Sequence, residues 1–379
     1  ATTEIYTLSL HDALPIYHEK GTFRWFEVRA VSPRGLEELL QETSDRTADG
    51  VFALVVSDNS EEPHEALRDS TKQAGTNRVV VAAFDPSQGK LLSIAREFAA
   101  LKRVVSRVPE VQTDAVARRE VQARMSLVAA QLEREISLGL ESAEWSFSGE
   151  SLGAEISGGL SRIASELCDR VFDQAPVLKN ELINRFSPSS AAGAARRVLM
   201  HHMVLFQDHE NLRIEKHPPE LGLYLSLLRA NKLHIFDAKQ GIWRFARPAR
   251  SGDSKHLLGI WNSAHEIFKR SLTTGEPVPL SELYAEWSKP PFGLRDGVMP
   301  ILALSYFLAN NHEVALYIEG MFTPALDDFV VDLILQDPTQ VSIRIVKMTG
   351  VRREVLAQLA TLSEAKLKGS NANTALEIA

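Results

Sequence analysis

The stretch EISGGLSRIASELCDRVFDQAPVLKNELINRF (155–186) decides the fold, together with SPSSAAGAARRVLMHHMVLF (187–206), PPELGLYLSLLRAN (218–231) and LHIFDAKQGIWRF (233–245). Three helical patterns are followed by two short strands around Ala238-Lys239-Gln240-Gly241. Helices followed by a hairpin is the order of a winged helix. Ile156, Leu160, Ile163, Leu167 and Val171 recur at spacings of four, three, four and four, one stripe of a helix. Pro176 ends that helix or opens the next. Ser187-Pro188 reads as an N-cap with a first-turn proline. Pro218-Pro219 opens a third helix with Leu221, Tyr224, Leu225 and Leu228 on one side. Ile235, Phe236, Ile242, Trp243 and Phe245 suit a half-buried ribbon.

Working outward toward the C-terminus, residues 251–362 repeat the order without repeating the sequence. His256–Leu272 and Leu280–Trp287 are predicted helices, the second capped by Ser281. Lys289-Pro290-Pro291-Phe292-Gly293 forces a turn, and Asp296 caps a helix over Val298–Asn310. Val314–Ile318 and Met321–Thr323 flank Glu319-Gly320 as a hairpin. A helix (Asp327–Gln336), a strand (Val341–Lys347) and a helix (Val351–Leu362) follow, and residues 363–379 are a polar tail expected to fray.

Toward the N-terminus, residues 17–108 read as the trailing part of an α/β domain. Phe23–Arg29, Val51–Val56 and Arg78–Phe84 are predicted strands, and Pro33–Thr43 and Pro63–Gln73 predicted helices. VFALVV and RVVVAAF are continuous apolar runs, the pattern of strands buried on both faces of a parallel sheet. Residues 109–150 are connecting helices, with Val121, Met125, Val128, Leu132 and Ile136 on one stripe and a charged opposite face. SFSGESLG (146–153) reads as a boundary. Residues 1–16, ATTEIYTLSLHDALPI, resemble the in-frame translation of a common sequencing adapter. They are expected to stand outside the fold, with Tyr17 away from a natural N-terminus. The fold class expected is therefore a partial parallel α/β sheet, connecting helices, and two winged-helix-like units in tandem, 151–250 and 251–362.

Composition narrows the chemistry. Hydrophobic residues make up 44% of the 379, enough for a sizeable core. A net charge of −7, with Glu4 and Asp12 in the tail, argues against a general polyanion-binding surface but not against a local patch. Cys168 is the sole cysteine, which excludes a disulfide framework or a cysteine zinc site and points to the cytoplasm. No apolar run approaches the length of a membrane span. G-x-x-x-x-G-K-[ST], G-x-G-x-x-G and G-x-S-x-G are all absent. His201, His202, His209 and His217 lack metal-ligand spacing, so no metal is expected.

Asp58 and Asp85 follow the two apolar strands, where open α/β sheets bind ligands and where a P-loop ATPase holds magnesium or positions water. Asp58-Asn59-Ser60 and Asp85-Pro86 also read as ordinary turns. Lys179, Arg185, Arg196, Arg197 and Arg244 are the bases placed to meet phosphate or a partner's carboxylate, or else plain surface charges. The third helices, PPELGLYLSLLRAN and DGVMPILALSYFLAN, are apolar on nearly every face. A DNA-reading helix offers polar side chains to base edges. These instead belong inside protein, with Leu225, Leu228, Leu302 and Phe307 buried.

PVLKNELINR (176–185), SSAAGAARR (189–197), PPELGLYLSLL (218–228) and PPFGLRDG (290–297) resemble the C-terminal half of large P-loop ATPases found in bacterial phage-defence loci, such as the BREX-type ATPase subunits. The resemblance covers most of residues 22–362. It implies a parent chain whose N-terminal part carries ATP and magnesium, while this portion holds neither cofactor. The expected role is non-catalytic regulation and assembly in a DNA-directed complex. Its partners are then other subunits or the N-terminal domain, with only non-specific phosphate contact to DNA. The alternative is a stand-alone winged-helix DNA-binding or scaffold protein.

Overall fold

The computed structural model describes residues 14–17, 21–41, 48–56, 79–84, 89–152, 159–252 and 254–346. It divides into two compact units, one of residues 1–16 and 24–171, the other of residues 17–23 and 172–379. The helices expected at 63–73 and 351–362, the terminal residues 363–379, Asp58 and Asp85 lie outside the described residues.

The first unit is built on three parallel strands, β2 (Phe23–Val31), β3 (Gly50–Val55) and β4 (Val79–Phe84), with Val28, Phe52 and Val81 in register. Every residue of β3 is buried. The period of two explains it: Val51, Ala53 and Val55 pack with Leu36 and Leu39 of α1 (Pro33–Gln41). Leu54 packs on the other side, with Leu91, Leu92 and Ala95 of α2 (Lys90–Arg107) and Leu132 and Ile136 of α4 (Ala115–Ser142). Pro109 opens the short α3 (Pro109–Thr113), and the Asp114 side chain then caps α4 by accepting from the Val116 and Ala117 amides. The helices expected as connectors thus cover one face of the sheet. Arg24 and Asp49, both buried, form an ion pair at 3.0 Å, and Asp49 also accepts from the Trp25 amide.

Two differences from expectation fall in this unit. Residues 146–153, expected as a boundary, hold a hairpin of β5 (Ser146–Phe147) and β6 (Glu150–Ser151). Ser146 pairs with Ala82 of β4, and the compact unit runs on through α5 (Gly159–Val171). The turn uses positive φ at Ser148 and Gly149, the conformation tight hairpins require. The tail expected outside the fold supplies most of an edge strand, β1 (Leu14–Tyr17), beside β2. An open sheet edge presents unpaired amides and carbonyls that any extended segment can meet, whatever its side chains.

In the second unit, residues 172–189 are turns rather than helix. The cap of α6 (Ser190–Leu205) is Ser189, two residues past Ser187; its hydroxyl accepts from the Ala192 amide at 3.3 Å. The third helix starts as expected with α7 (Pro219–Leu223) and then widens into a π-helix over Tyr224–Arg229. Strands β7 (His234–Asp237) and β8 (Ile242–Phe245) form the expected hairpin, pairing Phe236 with Trp243. The second half runs through α8 (Leu258–Lys269), α9 (Ser271–Thr274), β9 (Val278–Pro279), α10 (Leu280–Trp287) and α11 (Met299–Ala309). It ends with β10 (Val314–Ile318), β11 (Met321–Thr323), α12 (Asp328–Gln336) and β12 (Val341–Ile345). Neither Ser281 nor Asp296 caps a helix, since α10 follows Pro279 and α11 follows Val298. The expected β10–β11 hairpin is enlarged by β12 and β9 into an antiparallel sheet ordered β11-β10-β12-β9.

Helices then hairpin is the order in both halves, yet their buried side chains form one cluster. Leu199, Met203, Leu228 and Phe245 belong with Trp261, Trp287, Leu302 and Ile343. Leu228 and Leu302 are buried as expected, while Phe307 is only partly buried against this core. Leu225 is not: it is 44% exposed. The π-helix has i→i+5 spacing, which brings Leu223 and Leu228 onto one face and turns Leu225 outward.

Candidate functional site: a motif junction and an aromatic hairpin

The four motifs quoted above, the first and last more than a hundred residues apart, converge within the second unit. The Gly297 amide donates to the Arg185 carbonyl at 3.0 Å. A β-carbon on Gly297 would lie 1.8 Å from the Ile183 carbonyl oxygen, so only glycine fits there. Arg196 donates to the Asp296 and Gly297 carbonyls, each at 3.2 Å. The Gln174 amide reaches the Pro291 carbonyl at 3.2 Å, and Pro290-Pro291 is cis. Buried Arg295 stacks on Phe186 at 4.0 Å and donates to the Phe23 carbonyl at 2.6 Å. Asn184, also buried, donates to the Gly21 carbonyl and the Thr22 hydroxyl. Asn180 donates to Ser226 of the third helix at 2.9 Å. His256 accepts from the Val177 amide and contacts Asn231, which in turn caps the Ser226 and Leu227 carbonyls.

Each base singled out in the sequence has a place in this geometry. Arg196 is partly buried, burial lowers its pKa, and its Nε lacks a hydrogen-bond partner among the described residues. Arg197 grips Asp332 of α12 with two bonds, 2.6 and 2.5 Å, and thereby holds that carboxyl below the usual range. His201, one turn along α6, lies between Asp328 (2.5 Å) and Asp332 (3.3 Å). Arg244 pairs with Asp237 across the hairpin at 2.8 Å. Arg185 donates to the Glu181 carbonyl, and Lys179 is exposed. The five bases do not form one patch. Asp58 and Asp85 are outside the described residues, among which no metal-binding cluster of His, Cys, Asp and Glu assembles and no helix is long and apolar enough to cross a membrane.

Sequence reasoning missed a second centre, where the third helix meets the β7–β8 hairpin. The His234 Nε2–H donates to the Gln207 carbonyl at 2.8 Å, which leaves Nδ1 to accept from the Tyr224 hydroxyl at 2.9 Å. Burial lowers the His234 pKa and raises that of Tyr224, so both stay neutral. The pair is closed to solvent and acts as a latch. Around it the chain makes a left-handed turn: Asn211, Leu212 and Arg213 all have φ near +50°, strained for non-glycine residues. Arg229 donates to Asn211 at 2.6 Å, pairs with Glu210 at 3.2 Å and lies 4.9 Å over the Trp243 ring. The only sequence signal for this centre was the aromatic content of the ribbon; neither the π-helix nor the left-handed turn has one. No protein-family model, no curated protein and no solved structure matches the chain.

Proposed function

We propose that the second unit is a non-catalytic assembly module, winged-helix-like in both halves, of a larger cytoplasmic ATPase acting in a DNA-directed phage-defence complex. Its partners are other subunits or the N-terminal domain of the parent chain, which carries ATP and magnesium. One observation carries the docking role: the state of the helix that would enter a DNA groove. Leu221, Leu223, Tyr224, Leu227 and Leu228 are buried, and the less buried positions are Glu220, Gly222, Leu225, Ser226 and Arg229. Ser226 and Arg229 are taken up by bonds within the fold, to Gly222 and Asn180 and to Asn211 and Glu210, and Glu220 would face phosphate with like charge. Arg196, Arg197 and Arg244 are engaged within the fold. That state also weighs against a stand-alone sequence-specific factor.

The ATPase parentage rests on the resemblance of the four motifs. Extending the reading frame upstream of Tyr17 should reveal a G-x-x-x-x-G-K-[ST] loop. A frame that begins near Tyr17 and lacks one overturns the parentage. The chain itself should release no phosphate from ATP, and turnover that is lost on Asp85→Ala would overturn its non-catalytic role.

A further inference from the structure

We propose that the wing of the second unit binds single-stranded nucleic acid, stacking an unpaired base on the exposed ring of Phe236, which Trp243 backs. This inference does not depend on the ATPase parentage. Phe236 and Trp243 face each other across the hairpin with ring centroids 5.9 Å apart, on the same face as His234 and Phe245. That face is core at its base, where His234 and Phe245 are buried, and surface toward its tip, where Phe236 is 53% exposed. The left-handed turn extends the surface: the Trp243 amide donates to the Asp208 carbonyl, and Arg213 lies 5.4 Å over Phe206. Phe206 and Trp243 are half-buried and each carries a guanidinium over its ring, which brings Arg213 and Arg229 to the same surface.

Charge points to the occupant. Residues 208–250 hold eight Lys and Arg against Asp208, Glu210, Glu215, Glu220 and Asp237, in a chain whose net charge is −7. Arg229 and Arg244 are paired within the fold, while Lys239 sits exposed at the hairpin tip and Arg213 on the turn. A locally basic surface around an exposed ring fits a phosphate backbone with accessible bases. In a duplex the base faces are stacked on one another and cannot reach a ring platform. The third helix holds Ser226 and Arg229 in bonds within the fold. The platform therefore favours unpaired strands, without sequence preference.

The test is fluorescence anisotropy of the whole chain with a labelled dT20 strand and, separately, a 20-base-pair duplex at low salt. We expect dT20 to bind at least about tenfold more tightly than the duplex, and Phe236→Ala to weaken dT20 by about tenfold. Phe236 is exposed, so its removal leaves the fold intact; circular dichroism checks this. Lys239→Glu should weaken dT20 and reduce its salt dependence. Equal affinity for strand and duplex, or dT20 binding untouched by Phe236→Ala, overturns the proposal. So does the absence of dT20 binding, which would make the wing a protein-facing surface instead.

Discussion

Two residues show how much of this fold hangs on single positions. Gly297 lies against the Ile183 carbonyl with no room for a β-carbon, while its amide holds the Arg185 carbonyl. Gly297→Ala must push two backbone segments apart, so a loss of about 3 kcal/mol is expected in chemical denaturation. A loss below about 0.5 kcal/mol would mean that the junction yields freely. His234 makes a prediction about pH. Its folded pKa is lowered by burial, so between that value and about 6.5 the unfolded chain binds a proton that the folded chain does not. Stability therefore falls as pH drops below about 6.5. Asp332, held low by Arg197, and Asp237, held low by Arg244, act in a separate window below about 4. His234→Leu removes both the donor for Gln207 and the acceptor for Tyr224. It should cost about 1–3 kcal/mol at neutral pH and flatten the limb below about 6.5. An unchanged limb in melting curves across that range would show that another group produces it.

At the scale of elements, the third helix of the second unit is where pattern and structure part. A stripe of Leu221, Tyr224, Leu225 and Leu228 assumes 3.6 residues per turn. The π-helix changes that period midway, and Leu225 turns outward while Leu223 and Leu227 turn inward. The two leucines should therefore behave differently. Leu228→Ala should cost about 2–5 kcal/mol, and Leu225→Ala should stay within about 0.5 kcal/mol. Equal losses in parallel denaturation curves would restore the α-helical face. The element-scale reading of β3 and β4 fared better because apolar runs bounded by turns leave little choice in a sheet covered on both sides. The hairpin β7–β8 was legible through its alternating ribbon and the glycine that closes its turn. By contrast, β5 and β6 are two residues each and largely polar, so they carry no pattern, and SFSGESLG looked like a linker.

At the scale of the whole chain, the candidate site was legible as a set of motifs and not as a place. Arg196 and Arg197 stood out as bases, but their partners Gly297 and Asp332 lie 101 and 135 residues away. No local pattern encodes such pairings. Nor does any encode the single core in which both halves of the second unit share Trp287, Leu228 and Leu302. A base that grips a carboxylate of its own chain is a clasp, whereas the same base read from sequence looks like a phosphate contact. The proposed assembly role implies that the helices-then-hairpin order of the second unit does not read duplex sequence. Binding to a panel of duplexes of different sequence at two salt concentrations tests this. Weak or absent duplex binding that falls steeply with salt and ignores sequence is expected. Strong preference for one duplex that persists at high salt would contradict it.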